Sequence, residues 1–403
     1  MAGNLRDRLK RIQQTKQKTA RITQYDSGDA GCSFFTGKGW VSAGHLTLRR
    51  EICGDTVTLP HAMPDAAGIV MPGIKPGAAY GDLLFFDLET TGLSTGAGTI
   101  AFLAAFGRLH VGKAKGWPAR CQLRITQYLL LDYPGESDFI EALLGEFNRA
   151  AKNSDNLTMI SYNGKCFDSQ ILKIRCLMNG ITLPEYLHAD LLHPARRLWK
   201  NLLPDCSQAT IETGIFGIDR AGDIPGAMAP EIWFSFLRHG ETEPLLGICD
   251  HNRRDIAGLA AIFAAMVHIA EDPVKAIQKI NFDPETLAIR WYDSQHNMGE
   301  RFLRYAAEKD YPKAELHYGL VLFKAKRFEE GRKWLLKTAG GGNPQLQTAA
   351  LRALAIDSER RVKDAAEALE LALRGMELLP PSPRRDEFER RVQRLESKMN
   401  NLS

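Results

Sequence analysis

The stretch Leu83-Leu84-Phe85-Phe86-Asp87-Leu88-Glu89-Thr90-Thr91-Gly92-Leu93 decides how the rest of this 403-residue chain is read. Its apolar and aromatic run predicts a buried strand. A buried strand does not carry two carboxylates two positions apart without a cause. Side chains alternate with period two along a strand, so Asp87 and Glu89 share one face. Their repulsion is relieved by protonation or by a cation, and hard divalent ions are the usual partners of paired carboxylates. An Asp ending a strand and a Glu opening a turn is the plainer alternative, and the remaining sequence has to decide.

Two further acidic elements follow. Ser161-Tyr162-Asn163-Gly164-Lys165-Cys166-Phe167-Asp168 lies between a short apolar run, Leu157 to Tyr162, and a helical pattern over Ser169 to Met178. Asp168 falls at a helix N-terminus, where a carboxylate also serves as a cap. Cys249-Asp250-His251-Asn252-Arg253-Arg254-Asp255 leads into Ile256 to Ala270, apolar enough to be a buried helix. If that helix already includes His251, the i to i+4 spacing sets His251 and Asp255 on one face.

Around these elements the chain divides by composition. Leu5 to Arg21 holds seven Lys or Arg against one Asp and reads as a basic helix or arm, residues 1–26. Contact with phosphates and a solvated helix face are both open readings of it. Ser27 to Tyr80 is rich in Gly, Pro and short β-like runs and carries no recognisable chemistry. After the central strand come a turn at Ser94 to Gly98, a β-like run from Thr99 to His110, a loop over Gly112 to Trp117, and a second run from Cys121 to Leu131. These predict an antiparallel meander, and the helical pattern of Ser137 to Ala150 predicts a mixed sheet covered by helices. Beyond about Asp272 the sequence is amphipathic and helical: Pro284–Lys309, Pro312–Lys324, Phe328–Thr338, Gln345–Asp357, Val362–Leu378 and Asp386–Met399. A loose self-similarity at an offset of 34 residues (Leu320 with Leu354, Leu335 with Leu369) is similar to tetratricopeptide-like helical pairs.

The composition, 44% hydrophobic and 25% charged with net charge +4, is that of an ordinary globular protein, so attraction to nucleic acid has to come from local patches. No uncharged apolar run reaches the length of a membrane span, and the N-terminus lacks the apolar core of a secretory signal. The seven cysteines are scattered without a Cys-x-x-Cys pair, which argues for a reducing compartment and against a zinc or disulfide framework. The expected location is cytoplasmic.

Asp-x-Glu on a strand followed by Thr-Thr-Gly, then Asn-x-x-x-Phe-Asp opening a later helix, then His shortly before a helical Asp, resembles the three exonuclease motifs of the DEDD superfamily. The chain is most similar to bacterial proteins with a YprB-type RNase H-like domain. That likeness rests on Phe86 to Leu93, on Asp190-Leu191-Leu192-His193-Pro194-Ala195-Arg196-Arg197-Leu198-Trp199 and on Asp223-Ile224-Pro225-Gly226. It covers roughly residues 80 to 270, and the helical tail resembles repeats appended in that family.

The resemblance implies an α/β RNase H-like domain over 27–271, followed by an all-α, tetratricopeptide-like domain over 272–403. It implies that Asp87, Glu89, Asp168 and Asp255 hold two Mg²⁺ or Mn²⁺, with His251 as general base. Two ions about 4 Å apart assist both the attacking and the leaving oxygen of a phosphodiester. The implied activity is 3′ to 5′ exonucleolytic hydrolysis of single-stranded ends of DNA or RNA. Expected substrate contacts are Thr90, Thr91, Gly92, Asn163, Lys165, Arg196 and Arg197, with Lys200, Arg253 and Arg254 as further cations. Phe167, Trp199, Trp233 and Phe234 are read either as stacking platforms for bases or as core. The helical tail is expected to bind a protein partner. One departure stands: His251 lies four residues before Asp255, the separation usual for a tyrosine, while Asp250 lies five before it. The rival readings are a non-catalytic nucleic-acid or protein-binding adaptor and a structure-specific endonuclease. Four retained carboxylates disfavour the adaptor, because a binding site for an anion gains nothing from concentrated negative charge.

Overall fold

Alternating apolar residues build one seven-stranded sheet from β1 (Val41–Gly44), β2 (Thr47–Leu59), β3 (Leu83–Thr90), β4 (Ala101–Val111), β5 (Ala119–Leu130), β6 (Thr158–Ser161) and β7 (Leu187–Asp190). The order is β1-β2-β5-β4-β3-β6-β7. The computed structural model describes residues 27–92, 98–111, 119–152, 154 and 156–400. The basic arm of 1–26, Leu93, all but Gly98 of the predicted turn and the loop over Gly112 to Trp117 lie outside the described residues.

From β1 to β3 across the sheet all pairs are antiparallel, which includes the predicted meander β3-β4-β5. Strands β6 and β7 add in parallel on the other side of β3. The sheet is therefore mixed, and β3 is its hinge between the two modes. The β1–β2 hairpin within Ser27 to Tyr80 extends the antiparallel side.

Helices α1 (Ser27–Thr36), α2 (Glu136–Ala151), α3 (Asp168–Met178), α5 (Gln208–Phe216), α6 (Ala229–His239) and α7 (Thr242–Glu271) accompany the strands, while most of α4 (Leu192–Trp199) belongs with the helical C-terminal part of the chain. Period two along β3 assigns its two faces. Phe86 packs its ring 6.0 Å from Phe147 of α2, within a core shared with Phe106, Tyr128, Phe139 and Trp233. Phe85, on the opposite face, sets its ring edge-on to Phe263 of α7 at 5.5 Å. Asp87 and Glu89 have the parity of Phe85 and so look toward α7. The helix lies close: a Cβ added at Gly107 of β4 would stand 2.7 Å from Ile256 Cγ2.

The chain forms two compact units, one reaching to His193 and resuming over Ser207–Val267, the other combining Pro194–Cys206 with His268 onward. The second unit is helical: α8 (Glu285–Asp293), α9 (Gly299–Glu308), α10 (Pro312–Lys324), α11 (Phe328–Ala339), α12 (Pro344–Asp357), α13 (Ala365–Glu377) and α14 (Pro383–Asn400). Consecutive helices pack on one another around Leu335, Leu351, Leu354, Leu371 and Phe388. The predicted helix over Pro284–Lys309 is two helices. Gln295 takes φ +58 and His296 Nδ1 accepts the Trp291 indole N–H at 2.9 Å, a conformation that a continuing helix would forbid. Trp199 and Asp283 tie the early segment into this unit: the Trp199 indole donates to Asn281 O at 2.9 Å and Asp283 N–H to Leu198 O at 2.8 Å.

Candidate active site

Three chain segments of the first unit bring carboxylates together. Asp87 and Glu89 come from the β3 face turned toward α7, Asp255 from α7, and Asp168 from the first residue of α3. Strand β6 runs parallel to β3, so α3 starts beyond the same carboxyl edge of the sheet near which Glu89 sits, one residue before the end of its strand. Open α/β sheets place ligands at that edge. Asp87 and Glu89 are both pushed well above the ordinary carboxylate range, first by burial and then by their acidic neighbours. For Asp87 those neighbours are Asp255, Glu89 and Asp168; for Glu89 they are Asp255, Asp168 and Asp223. Asp168 is pushed up to about 7 by burial and then by Asp190.

The helix containing Asp255 does include His251, and the i to i+4 spacing sets His251 Nε2 3.2 Å from Asp255 Oδ2. Ligand atoms of Glu89, His251 and Asp255 all lie within 4.8 Å of one another. The other imidazole nitrogen, Nδ1, is 3.0 Å from Asp223 Oδ2. A neutral imidazole can donate to only one of these two carboxylates. Gly226 makes room for the ring, because a Cβ there would stand 3.0 Å from His251 Nε2. Asp250, five residues before Asp255, is half-exposed and pairs with Arg50 at 3.1 Å, away from the imidazole's role.

Asp87 is held by a polar row that crosses the sheet. Asp87 is paired with Ala105, and Ala105 with Gln127. The fully buried Gln127 accepts from Arg50 Nε at 2.7 Å and donates to Cys249 O and Asn252 Oδ1, each at 2.8 Å. Asn252 Nδ2 in turn donates to Asp87 Oδ2 at 2.7 Å. Each buried polar group in the row is satisfied, so the row fixes the Asp87 rotamer at little cost.

The turn before Asp168 is held by the end of β7. Asp190 accepts backbone N–H groups from Asn163 at 2.9 Å, Lys165 at 3.0 Å and Leu192 at 3.0 Å. Asn163 adopts φ +64, and a Cβ at Gly164 would stand 2.8 Å from Asp168 Oδ2, so the Asn-Gly pair follows from backbone shape.

The structure brings Asp87, Glu89, Asp168, His251 and Asp255 to one place, with Lys165 on the turn leading to Asp168. Thr90 Oγ1 donates to Gly92 O at 2.8 Å, and Thr91 N–H donates to Ile100 O at 2.9 Å. The Thr91 amide therefore closes the strand end. Arg196 and Arg197 fall in the second unit. Trp199 and Trp233 are fully buried core residues, with Trp233 stacked on Phe102 at 5.2 Å. Phe167 and Phe234 are partly buried against the core that contains Trp233. Arg253 and Arg254, with Arg220, line a cavity of about 570 Å³ in the first unit.

Sequence reasoning did not single out Gln127, Asn252, Glu212 or Arg220. Gln127 had a readable signal, a lone amide in the apolar run Ile125 to Leu130. Asn252 had a weaker one, an amide inside a helix otherwise apolar on its inner face. Arg220 and Glu212 had none, since only the fold unites them.

This architecture is that of the RNase H superfamily, whose family model matches residues 84–267. The chain is also 30% identical over 301 residues, 72% of its own length and 68% of the relative's, to a Bacillus subtilis (strain 168) protein described as uncharacterized protein YprB. It belongs to the YprB family of RNase H-like proteins. Membership supports a nuclease-type function acting on nucleic acid. No helix among the described residues is long and apolar enough to cross a membrane.

Proposed function

We propose that this protein is a divalent-metal-dependent nuclease that removes nucleotides from 3′ ends of single-stranded DNA or RNA. The observation that carries the reading is the convergence of Asp87, Glu89, Asp168 and Asp255, from separate segments, beside His251. Asp87 and Glu89 are buried carboxylates whose proton affinity their acidic neighbours raise, a costly arrangement without a counter-charge. Their all-oxygen donor set suits Mg²⁺ or Mn²⁺. These four residues would hold two such ions, which when bound polarise the phosphodiester and neutralise its developing charge.

The protein's own groups supply the rest. With Nδ1–H donated to Asp223, His251 keeps the Nε2 lone pair directed into the cluster, able to take a proton from an attacking water. Lys165, Arg253 and Arg254 are the cations that meet the strand's phosphates, and Thr90 and Gly92 frame the terminal nucleotide. The helical second unit would be a tetratricopeptide-like surface for a protein partner, with 27–271 as the exonuclease domain of a cytoplasmic enzyme.

The test is Mn²⁺-dependent hydrolysis of one oligonucleotide labelled in parallel at its 5′ and 3′ ends. A 3′ to 5′ exonuclease gives a descending ladder from the 5′ label and mononucleotide from the 3′ label, and Asp87→Asn reduces both by at least roughly 10³-fold, a transition-state loss of about 4 kcal/mol. Internal fragments from both labels would establish the endonuclease, and the absence of any cleavage with bound oligonucleotide would establish the adaptor.

A further inference from the structure

Behind the carboxylates lies a buried ion pair that the reaction as described does not use. Glu212 of α5 is 1% exposed. Its carboxylate accepts Arg220 Nε at 2.5 Å, Arg220 Nη2 at 3.2 Å and Gln208 Nε2 at 2.9 Å. The same guanidinium donates Nη2 to Asp255 Oδ1 and approaches Asp223 Oδ2 with Nη1 at 3.3 Å. Gln208 also donates to the Asp255 backbone carbonyl at 2.7 Å. Helix α5 thus holds the Asp255 main chain directly, through Gln208, and its side chain by way of the Glu212–Arg220 pair. The anchor fits a hole in α7: a Cβ at Gly258 would stand 1.6 Å from Glu212 Oε1.

We propose that Glu212 and Arg220 form a positioning pair for the site, a role that rests on the metal-nuclease reading above. The fork of Arg220 takes Asp255 by Oδ1 and bears on Asp223, the partner of His251. That leaves Asp255 Oδ2, beside His251 Nε2, as the oxygen offered to a cation. Arg220 touches neither substrate nor reacting atoms; it acts by fixing two carboxylates that do. The geometry depends on a planar fork, since one nitrogen faces Glu212 while another spans to Asp255, and a single ammonium cannot do both.

The experiment compares full-length wild type, Arg220→Lys and Gly258→Ala. Arg220→Lys keeps the charge and removes the fork. Gly258→Ala removes no charged group, favours the helix, and displaces the Glu212 carboxylate that anchors the arginine. Mn²⁺ affinity is measured by calorimetry without substrate, alongside kcat and KM on the labelled oligonucleotide. The expected result is Mn²⁺ binding weaker by roughly 10- to 100-fold in both variants, the usual cost of losing a partner that orients a ligand. The kcat loss should recover at high Mn²⁺ with KM for the oligonucleotide unchanged, which a merely structural role would not produce. Should Arg220→Lys fail to fold, Gly258→Ala alone decides. Wild-type Mn²⁺ affinity in either folded variant overturns the positioning role and leaves the metal-nuclease reading standing. A wild type that binds no Mn²⁺ overturns both.

Discussion

Asp168 illustrates how a single residue makes the apo protein sensitive to pH. Its carboxyl, pushed up to about 7 in the folded state, binds a proton more tightly than in the unfolded chain, near 4. A raised folded pKa stabilises the fold below the unfolded value, and that stability is lost as pH climbs from about 4 to about 7. His188 acts oppositely: burial lowers it to about 4, so its contribution is lost as pH falls from about 6.5 to 4. The difference between wild type and Asp168→Asn isolates the carboxylate. In EDTA, the margin by which Asp168→Asn melts above wild type should widen by several degrees from pH 5 to pH 8, while the Mn²⁺-induced rise in wild-type Tm should grow over the same interval. An equal margin at both pH values would show that Asp168 is not held in its protonated form by burial. At this scale the sequence was most legible where chemistry is written in charge: carboxylates on a buried strand announce themselves. The amides and the arginine that orient them did not, because a Gln or an Arg is informative only once its partners are known.

The element on which the site turns is α7, which carries His251, Asn252 and Asp255 across the sheet. Its height above the strands is set where Gly107 meets Ile256, and a side chain at 107 would also press Phe85 Cβ at 3.1 Å and Leu123 Cδ1 at 3.3 Å. Gly107→Ala should therefore destabilise by roughly 1–3 kcal/mol, the usual cost of overpacking. Ile256→Ala costs stability on its own because the side chain is fully buried, but the double variant should lose less than the sum of the two single losses, since the clashing methyl is gone, and a double-mutant cycle on Tm measures that coupling. Independent effects of the two substitutions would mean that α7 does not rest on β4 at this point. Strands β4 and β5 and helices α2 and α3 were readable from periodicity to within a residue or two, whereas α7 begins at Thr242, well before the predicted Ile256. The position of β2 between β1 and β5 was not, because edge pairing among short β-like runs leaves no local trace. The break at Gln295 was equally silent, since a left-handed residue there depends on the His296–Trp291 bond.

Across the whole molecule, the division of the chain differs from its division by composition, and the difference has a testable consequence. Composition changes near Asp272, yet Pro194–Cys206 packs with the helices that follow His268. Leu198 and Trp199 are buried there, and Asn201 Nδ2 donates to Asp283 Oδ2 at 2.6 Å. A fragment ending at Asp272 keeps this segment but deletes Asn281 and Asp283, its hydrogen-bonding partners. Uncovering one Leu and one Trp forfeits roughly 3–6 kcal/mol of apolar burial. The fragment should accordingly bind a hydrophobic dye, and adding Leu198→Lys with Trp199→Lys should suppress the dye signal without lowering its melting temperature. In the full chain, Trp199→Ala should raise hydrogen exchange over the amides of residues 281–293 while leaving those of β3 and β4 protected, because the indole is spent on Asn281 and not on the sheet. Loss of protection in β3 instead would place Trp199 in the core of the sheet unit and overturn this assignment of the segment.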